Sequence, residues 1–207
     1  MTIRSTTPRT PVRRAALALA AAGAALVLAA CGSDSGHSGH GATPSAGADA
    51  TTASHNAQDV AFAQGMIPHH EQALDMARLA AGRASSARVK DLATRIEKAQ
   101  DPEITTMTGW LRAWGEQVPS AGMDHTGHSG MAGMMADEDM TALEQATGQD
   151  FDTKFLTLMV EHHKGAVEMA RTEKSKGAYG PAKRLADAVV TAQNAEIEEM
   201  RQLLGRR

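Results

Sequence analysis

Cysteine is all but missing: Cys31 is the only one in 207 residues, so no disulfide framework holds this chain together. Aromatic side chains are nearly as scarce, with two Trp, one Tyr and three Phe. A core must therefore be built from Ala, Leu, Val and Met, which suits close-packed helices better than a β-sandwich. No apolar run reaches the roughly 20 residues that a membrane-spanning helix needs. No Gly-rich phosphate loop, nucleophile–base pair or cofactor fingerprint stands anywhere in the sequence, and the reading leans away from an enzyme.

Positive charge is concentrated where it does not stay. Arg4, Arg9, Arg13 and Arg14 precede a run of Ala, Leu, Val and a single Gly from Ala15 to Ala30. That order, basic then apolar then small, predicts a secretory signal over residues 1–30. The run closes as Leu28-Ala29-Ala30-Cys31, which resembles a bacterial lipobox. The expectation is cleavage before Cys31 and lipidation of that cysteine, giving an extracytoplasmic lipoprotein held at the membrane. Without residues 1–30 the chain has 17 Lys+Arg against 24 Asp+Glu, a formal charge of −7. That argues against nucleic acid as a partner and against electrostatic docking on anionic lipid. Residues 31–56, rich in Gly, Ser, Ala, Thr and His, read as a flexible tether.

What the sequence does have is a stretch that occurs twice. Met66-Ile67-Pro68-His69-His70 is answered by Met159-Val160-Glu161-His162-His163, 93 positions later. The same shift pairs Asp59 with Asp152, Phe62 with Phe155, Met76 with Met169, Gln100 with Gln193 and Glu103 with Glu196. This is an internal duplication, and a repeat of that length governs the reading of the fold.

Within each copy the apolar period is helical. Phe62, Met66, His69, His70, Ala73, Met76, Ala77 and Ala80 share one face at 100° per residue. Gly82 reads as a stop and Ser85-Ser86 as the cap of a second helix that runs to about Trp114. Its stripe is Leu92, Ile96, Ala99, Glu103, Met107, Trp110 and Trp114. A short helix over 137–147 is expected to end at Gly148. A second hairpin follows over about 150–206, its last helix opened by Gly180-Pro181. Each hairpin, 57–114 and 150–206, has one apolar face that it cannot bury alone. Packing them together predicts an all-α four-helix bundle with pseudo-two-fold symmetry, joined by a long Met/His-rich crossover over 115–149.

The candidate chemistry lies on the buried faces. His69, His70, His162 and His163 would converge near the pseudo-axis, and buried imidazoles need either hydrogen-bond partners or a metal. Met66 and Met159 sit one turn before them, Met76 and Met169 two turns beyond. Glu103 and Glu196 fall on the apolar stripe of the partner helices, where a carboxylate is costly unless paired. They are candidates for oxygen ligands or for acceptors that orient the histidines. Pro68 and Pro102 directly precede His69 and Glu103 in the first copy only, and each removes a helical hydrogen bond. A second candidate is the loop carrying Met123, His125, His128, Met131, Met134 and Met135, because thioether and imidazole together suit Cu(I).

Met-x-x-His-His followed by Met-Ala-Arg in each half, the Met-rich segment between them and the lipoprotein signal together resemble the secreted bacterial "domain of unknown function 305" family. The resemblance spans about residues 55–206. It implies a ferritin-like four-helix fold and, through some members, periplasmic copper binding and resistance. Carried over by position, the motif residues are Met66, His69, His70, Met76, Met159, His162, His163 and Met169. The di-iron pattern of ferritin-like proteins is not matched, since no Glu-x-x-His lies on the core face of either half. The expected function is a membrane-anchored copper-binding protein for buffering, storage or delivery, with another transition metal as the alternative ion and a metal-trafficking protein as a possible partner. The competing expectations are a di-metal His/Glu redox enzyme and a structural module without metal.

Overall fold

The computed structural model describes residues 54–120 and 132–205. The signal at 1–30, Cys31, the tether up to residue 53, and Met123, His125, His128 and Met131 of the crossover lie outside them. The described residues form five helices: α1 (Ala57–Arg83), α2 (Ala87–Trp114), α3 (Asp137–Gln145), α4 (Gly148–Lys176) and α5 (Gly180–Gly205). No strand is present among them, and the fold is all-α as the composition demands.

The first two helices start where the sequence supplies a cap. Asn56 accepts hydrogen bonds from the backbone N–H groups of Gln58 and Asp59, and Asp59 accepts one from the N–H of Asn56. This reciprocal box satisfies N–H groups that the first turn leaves orphaned. Ser86 caps α2 through the N–H of Val89. α1 runs without interruption through Pro68, and α2 through Pro102.

α1 packs on α2, α4 on α5, and the two hairpins meet along α1 and α4, with α3 resting on α4 and α1. The core divides into two clusters. One cluster joins Ala73, Met76 and Ala77 of α1 to Leu92 and Ile96 of α2, Phe151, Phe155 and Met159 of α4, and Met200 of α5. The other joins Phe62, Met66 and Ile67 of α1 to Met107 and Leu111 of α2, Ala166 and Ala170 of α4, and Ala186 and Val189 of α5. The turn end of each hairpin thus packs with the open end of the other. The histidine pairs fall between the two clusters in sequence on both α1 and α4. Burial of each large apolar side chain stabilises the fold by about 1.5–3 kcal/mol.

Three local expectations are corrected. Gly82 does not stop α1, which continues to Arg83. The reversal comes at Ser85 and Ser86, whose N–H groups are taken by Asp152 at 3.2 and 3.1 Å. Gly148 does not end the short helix; α3 stops at Gln145 and Gly148 opens α4. On α2, Ala99 is exposed and Gln100 is buried. The buried line is Val89, Leu92, Ala93, Ile96, Gln100, Met107 and Leu111. The face is rotated toward the longer side chains, because burying Leu111 and Gln100 removes more surface from water than burying Ala99. Trp110 and Trp114 stand at its edge, packed with Tyr179 at ring separations of 5.6 and 5.2 Å. His55 stacks on Trp114 at 4.3 Å, so the residues just before α1 are held against the end of α2.

Candidate metal centre

His69, His70, His162 and His163 are all buried. Of the expected convergence, the structure brings together His69 and His162. His69 and His162 meet across the α1–α4 contact, their ring centroids 3.7 Å apart and their planes inclined by 37°. His70 and His163 face outward in the opposite sense, toward α2 and α5. Nε2 of His70 donates to Oε2 of Glu103 at 2.7 Å, and Nε2 of His163 donates to Oε2 of Glu196 at 2.7 Å.

Those two bonds define the role of the glutamates. The rotated face of α2 leaves Glu103 at the edge of the core rather than at its centre, with its side chain 21% exposed. Glu196 is in the same position on α5, 14% exposed. Each carboxylate therefore keeps a foothold in solvent while holding a fully buried imidazole. A carboxylate cannot donate, so Nε2 carries the proton and Nδ1 of His70 and His163 is left with its lone pair. The pairing of one ring nitrogen with a carboxylate is the arrangement that orients metal-binding histidines. Gln100 and Gln193, one turn earlier, are buried on the core line, with Oε1 of each lacking a hydrogen-bond partner.

The inner histidines have no such partner. Nδ1 and Nε2 of both His69 and His162 are buried without a hydrogen bond, as is Nδ1 of His70 and of His163. Burial, then repulsion from His70 and His163, pushes the His69 imidazole down to about 3, against the nearby Ala132 backbone. That backbone favours the charged ring but is not aligned as a hydrogen bond. Burial likewise holds His162 well below the ordinary histidine range, and the other three histidines add to the shift. Both rings are neutral at physiological pH, the form in which imidazole ligates a metal. One nitrogen of each neutral ring carries a lone pair, so of the six unpartnered ring nitrogens four, one per histidine, have the chemistry of ligands to a borderline transition metal. The arrangement is not a closed cage: among the described residues, no group of three or more His, Cys, Asp or Glu side chains is set to hold a metal ion. The rings of His69 and His162 lie against one another, so shared coordination requires them to turn.

The methionines flank this layer. Met66, Met76 and Met159 are buried, Met66 in one core cluster and Met76 and Met159 in the other, while Met169 is half-buried. Of the crossover, Met134 and Met135 are described, both half-buried, and Met135 packs on the core.

Two residues at the centre escape a reading by motif. Gln72 and Gly165 are repeat partners, 93 positions apart. Nε2 of Gln72 donates to the Met135 carbonyl at 3.0 Å, and the Met135 N–H donates to Oε1 of Gln72 at 2.8 Å. At Gly165 a Cβ would lie 1.9 Å from the Ala132 carbonyl oxygen. The usable signal was the mismatch itself, a long amide against no side chain within an otherwise well-matched repeat.

The sequence of residues 59–204 matches the family described as "Domain of unknown function (DUF305)". No curated protein matches the chain. Among solved structures, a DUF305 protein from Streptomyces coelicolor described as secreted is 35% identical over 72% of this chain and 93% of its own, with a TM-score of 0.66. A DUF305 fragment from Deinococcus radiodurans is 33% identical over 73% of this chain and 98% of its own, also with a TM-score of 0.66. CopM in its Cu(II)-bound form is 35% identical over 72% of this chain and 96% of its own, with a TM-score of 0.63. CopM has also been solved with Cu(I) and with silver bound.

Proposed function

The chain belongs to the DUF305 family, and from that premise we propose that it is an extracytoplasmic copper-binding protein that buffers, stores or delivers the metal. The observation that carries the reading is the set of six buried ring nitrogens without partners on four histidines of the two repeats. Such nitrogens are costly to bury unless each N–H finds an acceptor and each lone pair finds a donor or a metal. His69, His70, His162 and His163 supply the imidazoles. Glu103 and Glu196 orient His70 and His163 from the bundle edge, and Met66, Met76, Met159 and Met169 bring thioethers to the flanks. The likeness to CopM, solved with Cu(I), Cu(II) and silver, supports copper as the cargo.

The finer features belong to the same proposal. The four long helices form a ferritin-like bundle built by duplication. Cys31 carries a lipid that anchors the protein to the membrane, and residues 32–56 hold the domain off it. Met123, His125, His128, Met131, Met134 and Met135 form a weaker capture arm, and a metal-trafficking protein is the natural partner.

Titration of the purified protein with Cu(I), Cu(II) and Ag(I) tests the reading. The expected result is binding that is lost when all four histidines are replaced by Ala, with the metal-free fold checked by circular dichroism. A His70→Gln, His163→Gln variant, which keeps more of the buried volume, is expected to weaken binding in the same direction. Full copper affinity in the quadruple variant would place the metal in the crossover and sink the histidine centre. The two His–carboxylate pairs also favour a second reading, a di-metal redox centre; it requires turnover of a reductant or oxidant by the copper-loaded protein.

A further inference from the structure

Residues 132–135 run directly over the inner histidines. Gln72 lies three positions after His69, and Gly165 three after His162, so each shares a helix face with its histidine. The crossover segment touches both positions. At α4 the contact is backbone on backbone: a Cβ on Gly165 would stand 2.4 Å from the Ala132 carbonyl carbon and 2.7 Å from the Gly133 Cα. Gly133 has φ +82°, and a Cβ there would meet the carbonyl oxygen of His162 at 2.8 Å. At α1 the contact is the paired bond between the Gln72 amide and both backbone polar groups of Met135. Ala132 and Gly133 are thus seated on one repeat and Met135 is latched to the other, with the His69–His162 contact between them.

We propose that residues 132–135 are a strap across the histidine centre, seated on Gly165 and latched by Gln72, and that release of this strap sets the rate at which metal reaches His69 and His162. The access role rests on the copper reading given above; the strap itself does not. The pairing explains why the two repeats diverge at this position. A segment lying obliquely over a two-fold contact meets the two halves differently, so one half needs a long amide and the other needs no side chain. Gly165 is the informative residue, because a glycine inside a helix ordinarily costs stability and persists where a backbone must come close.

Amide exchange and silver kinetics test the proposal on the whole protein. In the metal-free wild type, the Met135 N–H is expected to be protected from exchange. Gln72→Ala removes two hydrogen bonds and is expected to speed that exchange about tenfold or more. Gly165→Ala is expected to do the same by lifting Ala132 from its seat, and to raise modification of His69 and His162 by an imidazole-directed acylating reagent. Gly82→Ala is the control, since a Cβ there meets nothing within 4 Å. In stopped flow, both strap variants are expected to take up and release Ag(I) faster at unchanged stoichiometry. Unchanged Met135 exchange in both variants would overturn the strap. Altered exchange with unchanged silver rates would overturn its role in access. Failure of the wild type to bind silver or copper would overturn the copper reading and the access role with it, while exchange would still judge the strap.

Discussion

Asp59 and Asp152 occupy the same place in the two repeats, and each closes the hairpin turn of the repeat to which it does not belong. Asp59, on α1, accepts hydrogen bonds from the N–H groups of Ala178 and Tyr179 at the α4–α5 turn, the shortest at 2.9 Å. Asp152, on α4, accepts from Ser85 N, Ser85 Oγ and Ser86 N at the α1–α2 turn, the shortest at 2.6 Å. Both carboxylates are buried. Neither hairpin is therefore complete alone: its turn is satisfied only once the other repeat is in place. The histidine centre inherits this dependence, because it too takes one half from each repeat.

Replacing Asp152 by Ala should cost about 2–4 kcal/mol, since it leaves two backbone N–H groups and a hydroxyl without their charged acceptor. Asp59→Ala should cost a similar amount and fray the start of α5. Urea unfolding measures both. Asp91→Ala is the control: Asp91 is exposed and pairs only with Arg95 on the surface, so the change should stay within about 0.5 kcal/mol. Equal effects at Asp91 and Asp152 would deny the cross-repeat clip.

Asp59 also faces a buried carboxyl of its own repeat's partner, Glu173. Burial, then the hydrogen bond to Asp59 and its charge, pushes the Glu173 carboxyl up to about 8. Neither Glu173 oxygen makes a well-aligned hydrogen bond, and a carboxyl raised this far keeps its proton beside Asp59. The folded state then holds a proton that the unfolded chain loses near 4.5. Its contribution to stability is complete below that value and falls as pH rises toward about 8. The urea midpoint should therefore drop between pH 5 and pH 8.5, and Glu173→Gln, whose amide donates at every pH, should flatten the slope. A wild-type slope unchanged by that substitution would mean that other groups set it.

The duplication carried most of what was legible in the sequence. It points to the hairpins, their pairing and the contact of His69 with His162, because a repeat with one apolar face fixes its own partner. Periodicity located the faces but not their centres. A face that includes Ala99 puts Glu103 at its centre, whereas packing favours the larger Gln100 and Leu111. The tertiary roles of Asp59, Asp152 and Glu173 were illegible, since a buried carboxylate looks like any surface acid until its acceptors and donors are placed. Gln72 and Gly165 were hidden for another reason: a strap crosses the repeats at an angle that neither helical period records.

If Glu103 and Glu196 act by orienting His70 and His163, removing their charge should weaken copper without changing the number of ions bound. Glu103→Gln and Glu196→Gln are each expected to lower affinity about 10–100-fold, as loss of an acceptor behind a metal-binding histidine does elsewhere. Nitrogen-15 spectra of the imidazoles provide the second readout, because the proton should no longer be fixed on Nε2. Loss of a whole equivalent of metal from either variant would make that glutamate a ligand instead.

Met66 and Met159 separate packing from coordination. Each is buried in the core, and each lies three and four positions before its histidines, on the same helix face. Leucine nearly conserves the volume, so Met66→Leu and Met159→Leu should each cost less than about 1.5 kcal/mol in the metal-free protein. The thioether has no counterpart in leucine, and soft ions feel the difference most. Affinity for Ag(I) and Cu(I) should fall while affinity for Cu(II), held mainly by imidazole, changes little. Isothermal titration with the three ions side by side reads that contrast. An equal loss for all three would mean that the substitution has disturbed the histidine layer, and no loss for any would confine both methionines to the core.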